Sequence, residues 1–130
     1  MEELWVILDT NFLMVPETHG VDIFSEIDRI LDKKYKLIVP EAVVKELKKL
    51  KEDGSSSERK AAGIALKLTD RAEKIKSQNP ADEEILKLAK EKECVVGTND
   101  STLKKRLRDL QTPVIYLRQR THLDIDGMIE

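Results

Sequence analysis

Leu4-Trp5-Val6-Ile7-Leu8-Asp9 is the stretch that decides the fold. Five apolar residues in a row have the length of a strand. Unbroken rather than alternating apolarity suits a strand buried on both faces, as in a parallel sheet. The acid that follows then falls at the carboxyl end of that strand. Three further runs read alike: Lys36-Leu37-Ile38-Val39, Cys94-Val95-Val96 and Val114-Ile115-Tyr116-Leu117. Helical spacings separate them. Ile23, Ile27, Ile30 and Leu31 form one stripe, ended by Asp32-Lys33-Lys34, and Val43, Val44, Leu47 and Leu50 form a second after Pro40. A flexible loop, Asp53-Gly54-Ser55-Ser56-Ser57, precedes a long helical pattern through Ala61, Ile64, Ala65, Leu68 and Ala72. Asn79-Pro80 opens a helix with Ile85, Leu86 and Ala89. A last helix carries Leu103, Leu107 and Leu110 and stops before Pro113. Strands alternating with helices predict an α/β fold, a three-layer α/β/α sandwich on a central parallel sheet. The Leu4–Leu8 strand is expected at its centre, and residues 1–130 as a single domain.

The bulk composition narrows the function. The chain has 130 residues, 37% of them charged, with a net charge of -2, so any pull on nucleic acid must be local. A lone cysteine, Cys94, excludes an internal disulfide and reads as a small buried hydrophobe. No apolar run is long enough for a membrane span, and no signal peptide is visible, which predicts a cytoplasmic protein. Abundant Lys and Glu with scarce Asn and Gln lean toward a thermophile.

Four acids stand out by position. Asp9 follows the first strand, and Asp100 follows the third run by the link Gly97-Thr98-Asn99. In open parallel sheets the working crevice lies beyond such carboxyl ends. Asp82 is in line with Ile85, Leu86 and Ala89 on its helix, and Glu46 lies at the edge of its own stripe. Each also has an ordinary explanation. Asp9 and Asp100 could cap a turn and a helix, Asp82 could be a first-turn acid behind an Asn79 cap, and Glu46 could be a solvated residue among lysines. The functional reading rests on the four together.

Clustered carboxylates repel one another unless a cation joins them. All-oxygen ligation points to Mg²⁺ or Mn²⁺, and one cysteine with two scattered histidines argues against zinc. A site of this kind suits phosphodiester hydrolysis. Lys45 and Lys49 beside Glu46, Lys104, Lys105 and Arg106 after Asp100, and Arg118 and Arg120 after the last strand are candidate phosphate grips. Aromatic residues amount to only 4%, which argues against extensive base stacking.

Val6-Ile7-Leu8-Asp9-Thr10-Asn11 resembles the opening motif of the PIN-domain nucleases. Glu46-Leu47, Pro80-Ala81-Asp82 and Gly97-Thr98-Asn99-Asp100 resemble the other three motifs, in the family's order and across essentially the whole chain. The resemblance implies a Mg²⁺- or Mn²⁺-dependent endoribonuclease with Asp9, Glu46, Asp82 and Asp100 as catalytic, metal-holding acids. It makes Thr10, Asn11, Thr98 and Asn99 supporting or substrate-orienting groups. It brings RNA as substrate, and a homodimer, an antitoxin or a ribosome-processing partner as associations. Many relatives carry a further acid two residues beyond the one matching Asp100; Thr102 stands there, so no fifth ligand carries over. The ending Tyr116-Leu117-Arg118-Gln119-Arg120 resembles the ribosomal-RNA-processing branch and its archaeal relatives more closely than the typical VapC toxins, which stand as the neighbouring possibility. A phosphatase of the haloacid-dehalogenase type would need an acid where Asn11 stands, and a phospho-receiver would need paired acids after the first strand. The remaining alternative is a non-catalytic PIN-like module that binds RNA or protein.

Overall fold

The computed structural model describes residues 3–129; residues 1, 2 and 130 of the expected domain lie outside the described residues. The order of elements is β1 (Leu4–Leu8), α1 (Thr10–Leu13), α2 (Val15–His19), α3 (Ile23–Ile30), β2 (Tyr35–Pro40), α4 (Glu41–Asp53) and α5 (Ser56–Leu68). A 3₁₀ turn (Thr69–Arg71) follows, then β3 (Glu73–Ile75), α6 (Ala81–Glu91), β4 (Cys94–Gly97), α7 (Ser101–Asp109), β5 (Val114–Arg118) and β6 (His122–Asp126).

One six-stranded sheet runs in the order β3-β2-β1-β4-β5-β6. β1 is central, parallel to β2 on one side and to β4 on the other. Its residues Val6, Ile7 and Leu8 are buried on both faces, as the unbroken apolar run requires. The chain builds outward from β1 to β3 and then returns to β4. The usual right-handed crossover puts α3 and the α4–α5 pair on one face and α6 and α7 on the other. The strand order therefore reverses between β1 and β4, where the crevice of an open α/β sheet forms.

The sheet is parallel except at one edge, where β6 pairs with β5 antiparallel. The turn joining them holds Gln119 and Arg120 at φ 53° and 62°, the left-handed conformation of a tight hairpin. Such turns usually announce themselves by Asn-Gly; Gln-Arg gives no such signal, and β6 was not expected. The helical pattern drawn through Ala72 ends earlier. Helix α5 stops at Leu68, the Thr69 hydroxyl bonds back to the Leu66 carbonyl, and the chain turns into the short strand β3. Pro40 and Pro80 serve as N-caps rather than as first helical residues. Asn79 is therefore not the cap of α6.

Gly97 has a packing reason. A Cβ there would lie 3.0–3.1 Å from the ring of Phe12, the fully buried centre of α1. The bare backbone lets α1 close over the end of β4 and brings Asp9 beside Thr98.

Candidate active site

Asp9, the N-cap of α1, is 7% exposed at the end of β1. Its Oδ1 accepts the Thr10 amide at 2.8 Å and its Oδ2 accepts the hydroxyl of the fully buried Thr98 at 2.7 Å. The same Thr98 hydroxyl accepts the Asp100 amide at 3.1 Å. The Thr10 hydroxyl donates to Glu46 Oε1, which reaches over from α4. Two threonines therefore link Asp9 to the backbone of Asp100 and to the carboxylate of Glu46. The two asparagines hold the backbone instead. Asn11 Oδ1 accepts the Asn99 amide at 3.1 Å, and Asn99 Oδ1 accepts the Leu117 amide at 2.8 Å, fixing the β4–α7 loop against β5.

Asp100 caps α7, its Oδ1 accepting the amides of Thr102 and Leu103 at 2.9 and 3.1 Å. Capping is thus real at both Asp9 and Asp100, as the ordinary reading had it. It occupies one oxygen of Asp100 and leaves Oδ2 without a donor among the described residues. Among the described residues Asp82 accepts only the Glu83 amide, through Oδ1 at 2.9 Å. Asp9, Glu46, Asp82 and Asp100 line a single cleft of about 840 Å³, open to solvent at the carboxyl ends of β1 and β4. Asp82 is exposed there. The stripe of Ile85 and Leu86 is buried as expected, but the acid that turns inward with it is Glu84, 4% exposed, and not Asp82.

The electrostatics of the cleft are one-sided. Burial pushes the Asp9 carboxyl above its usual range; the bonds from Thr98 and Thr10 oppose this, while the charges of Glu46 and Asp100 add to it. Among the described residues no Lys, Arg or His nitrogen lies within 4 Å of the four acids. Nor do any three acids, histidines or cysteines among the described residues stand close enough to enclose an ion. The donor set still fits a hard divalent cation. It offers oxygens only, with Glu46 Oε2, Asp82 Oδ2 and Asp100 Oδ2 free of donors among the described residues, around a cleft roomy enough for an ion that keeps several waters, as Mg²⁺ does.

The candidate cations sort into classes. Lys49 lines the cleft. Lys104 and Arg118 are engaged elsewhere: Lys104 lies 3.6 Å from Asp126 and over the Tyr116 ring, and Arg118 donates to Asp124 at 2.6 Å. Lys45, Lys105, Arg106 and Arg120 are exposed and away from the cleft lining, Arg106 on a separate groove between α6 and α7. The sequence reading missed Met14, Leu50, Asp53 and Glu58, which also line the cleft. Glu58 had a signal: it closes a capping box with Ser55, the pattern Ser-x-x-Glu.

Comparison with known proteins agrees with this fold. A PIN-like domain family model matches residues 6–120. Ribonuclease VapC4 of Methanocaldococcus jannaschii is 35% identical over 95% of this chain and 98% of its own. Ribonuclease VapC9 of Archaeoglobus fulgidus is 27% identical over 87% of this chain and 82% of its own. Among solved structures, the PIN domain endonuclease Utp24 superposes with a TM-score of 0.79 at 26% identity, covering 97% of this chain and 93% of that one. The chain belongs to the PIN-like domain family.

Proposed function

We propose that this chain is a cytoplasmic, single-domain, divalent-metal-dependent endoribonuclease. The observation that carries the reading is the cleft itself: Asp9, Glu46, Asp82 and Asp100, brought from four different elements, line it together, and among the described residues none of the four is ion-paired with a protein cation. Its relatives named as ribonucleases, matched over most of their length, support RNA as the substrate. No helix among the described residues is long and apolar enough to cross a membrane. Mg²⁺ or Mn²⁺ is the ion the all-oxygen donor set favours.

Hydrolysis adds water across a P–O bond, leaving a phosphate ester on one fragment and a hydroxyl on the other. A bound divalent ion would offset the charge of the acids and of the phosphoryl oxygens. The protein's own part is positioning. Thr98 and Thr10 fix Asp9 and Glu46, and the asparagine bonds hold the loop that presents Asp100. The free oxygens of Glu46, Asp82 and Asp100 orient the attacking water and receive its proton, while Lys49 faces the phosphate backbone. Self-association, and a partner of the antitoxin or ribosome-processing kind, enter through the family resemblance.

The test is cleavage of an RNA oligonucleotide by metal-stripped protein. Activity should vanish in excess chelator and return with Mg²⁺ or Mn²⁺ but not with Zn²⁺. Undiminished cleavage in chelator would overturn the metal mechanism; tight RNA binding without cleavage under every ion would replace the enzyme by a binding module.

A further inference from the structure

The segment between β3 and α6, residues 76–80, carries no regular structure, yet its backbone donors are taken up in turn. Glu41 Oε1, on the first residue of α4, accepts the Ser77 amide at 3.2 Å, and Ser77 Oγ accepts the Ala42 amide at 3.1 Å in return. Glu84 Oε1, on α6, accepts the Gln78 and Asn79 amides, each at 3.0 Å, and Asn79 Nδ2 at 2.8 Å. Pro80 has no N–H and caps α6. Three consecutive amides are therefore held by two carboxylates, one from each flanking helix. Asp82 stands two residues after Pro80, and Glu46 five after Glu41, about 7.5 Å along α4 at helical rise.

From this we infer that Glu41, Ser77, Asn79 and Glu84 form a clamp that positions Asp82 relative to Glu46. The physical need is specific. Two carboxylates on one cleft repel, and while Ala81, Ile85 and Leu86 anchor α6 in the core, the exposed Asp82 sits at the helix start, where the irregular loop before it sets its position. Without the clamp the first turn of α6 can shift away and leave the site with a dispersed set of oxygens. A clamp that only anchored the loop would affect stability; one that sets the spacing of the acids also affects how tightly an ion is held. The inference rests on the four-acid reading above.

The test is Mn²⁺ affinity of the RNA-free protein, followed by paramagnetic resonance below the melting temperature of every variant, with melting temperature and kcat measured alongside. Glu84→Ala should weaken Mn²⁺ binding about tenfold or more and lower kcat, with KM for RNA little changed. Glu84→Gln, which keeps the Oε1 acceptor, should recover most of both. If Glu84→Ala does not fold, Ser77→Ala carries the decision at the more exposed end of the clamp, with a smaller loss in the same direction. Wild-type Mn²⁺ affinity in a folded Glu84→Ala or Ser77→Ala, with only the melting temperature lowered, overturns the clamp. Asp82→Asn separates the two failures. If it weakens Mn²⁺ binding while the clamp variants do not, only the clamp is wrong. If it too binds Mn²⁺ normally, Asp82 is no ligand, and both the clamp and its place in the four-acid site fall.

Discussion

The cleft beyond β1 and β4 and the edge formed by β5 and β6 are both rich in acids, and they treat them in opposite ways. At the edge each acid meets a cation. Asp124 takes Arg118, Asp126 takes Arg108 at 3.3 Å and Lys104 at 3.6 Å, and Glu26 takes Arg29, whose guanidinium also donates to the Leu123 carbonyl. Those bonds pull the carboxyls of Asp124 and Glu26 below their usual range, led in each case by the hydrogen bond from the arginine. In the cleft the acids meet threonine hydroxyls, backbone amides and one another, and Asp9 moves the other way. The number of acids in a region therefore says little about chemistry. What separates a structural patch from a site is whether the protein supplies its own counter-charge.

The largest expected difference between the regions lies in activity. Asp9→Asn preserves shape and the capping bond but removes a charge, and should lower kcat by more than about 100-fold, beyond the range typical of outer groups. The metal-free variant should melt at the same temperature or higher, because repulsion from Glu46 and Asp100 is relieved. Asp100→Asn should lose activity to a similar degree with little change in stability, since Asn caps a helix about as well as Asp. Near-wild-type RNA cleavage by either variant removes that residue from the site.

The pH dependence sharpens the contrast, because its sign differs at the two places. Asp9 binds its proton more readily folded than unfolded. Lowering the pH through its raised value toward the ordinary carboxylate range should thus relieve a destabilisation in the metal-free protein. The melting-temperature advantage of Asp9→Asn at neutral pH should shrink as the solution becomes acidic. Asp124 behaves oppositely: its contribution is present above the ordinary carboxylate value and is lost as pH falls through its lowered one. An Asp9→Asn advantage that is constant with pH would contradict the assigned cause.

Cations come next in size. Lys49→Ala, on the cleft, should raise KM for RNA several-fold and flatten its salt dependence by about one phosphate contact. Arg118→Ala, already paired, should change KM by less than about twofold. The reverse ranking would place the RNA path along the β5–β6 edge. Smallest of all is Asp126→Asn: its half-exposed pairs with Arg108 and Lys104 are worth no more than about 1 kcal/mol after solvent screening, and cleavage should be unaffected.

Much of the fold was legible because most of the parallel strands are short, unbroken apolar runs: from Leu4 to Leu8 no polar residue interrupts the signal. The strands that were missed lack it. Glu73-Lys74-Ile75 is a charged edge, and His122–Asp126 follows a turn whose residues, Gln119 and Arg120, are not those that favour positive φ. At the candidate site, position relative to strand ends singled out Asp9 and Asp100, and the structure has them on one cleft with Glu46 and Asp82. Spacing could not tell Asp82 from Glu84. Which of two nearby acids turns inward depends on the loop amides that Glu84 satisfies, a tertiary fact with no period in the sequence. Charge alone likewise did not separate Lys49 from Lys104 and Arg118, because their partners lie on a strand the sequence did not reveal.

The central claim, that the four acids form one divalent-ion site, is tested most directly by the anomalous scattering of Mn²⁺ soaked into crystals of the RNA-free protein. The account predicts a manganese peak in the cleft, within bonding distance of oxygens from Asp9 and at least one of Glu46, Asp82 and Asp100, and its disappearance in crystals of Asp9→Asn. A cleft free of manganese at millimolar Mn²⁺, or a peak that survives Asp9→Asn unchanged, would contradict it.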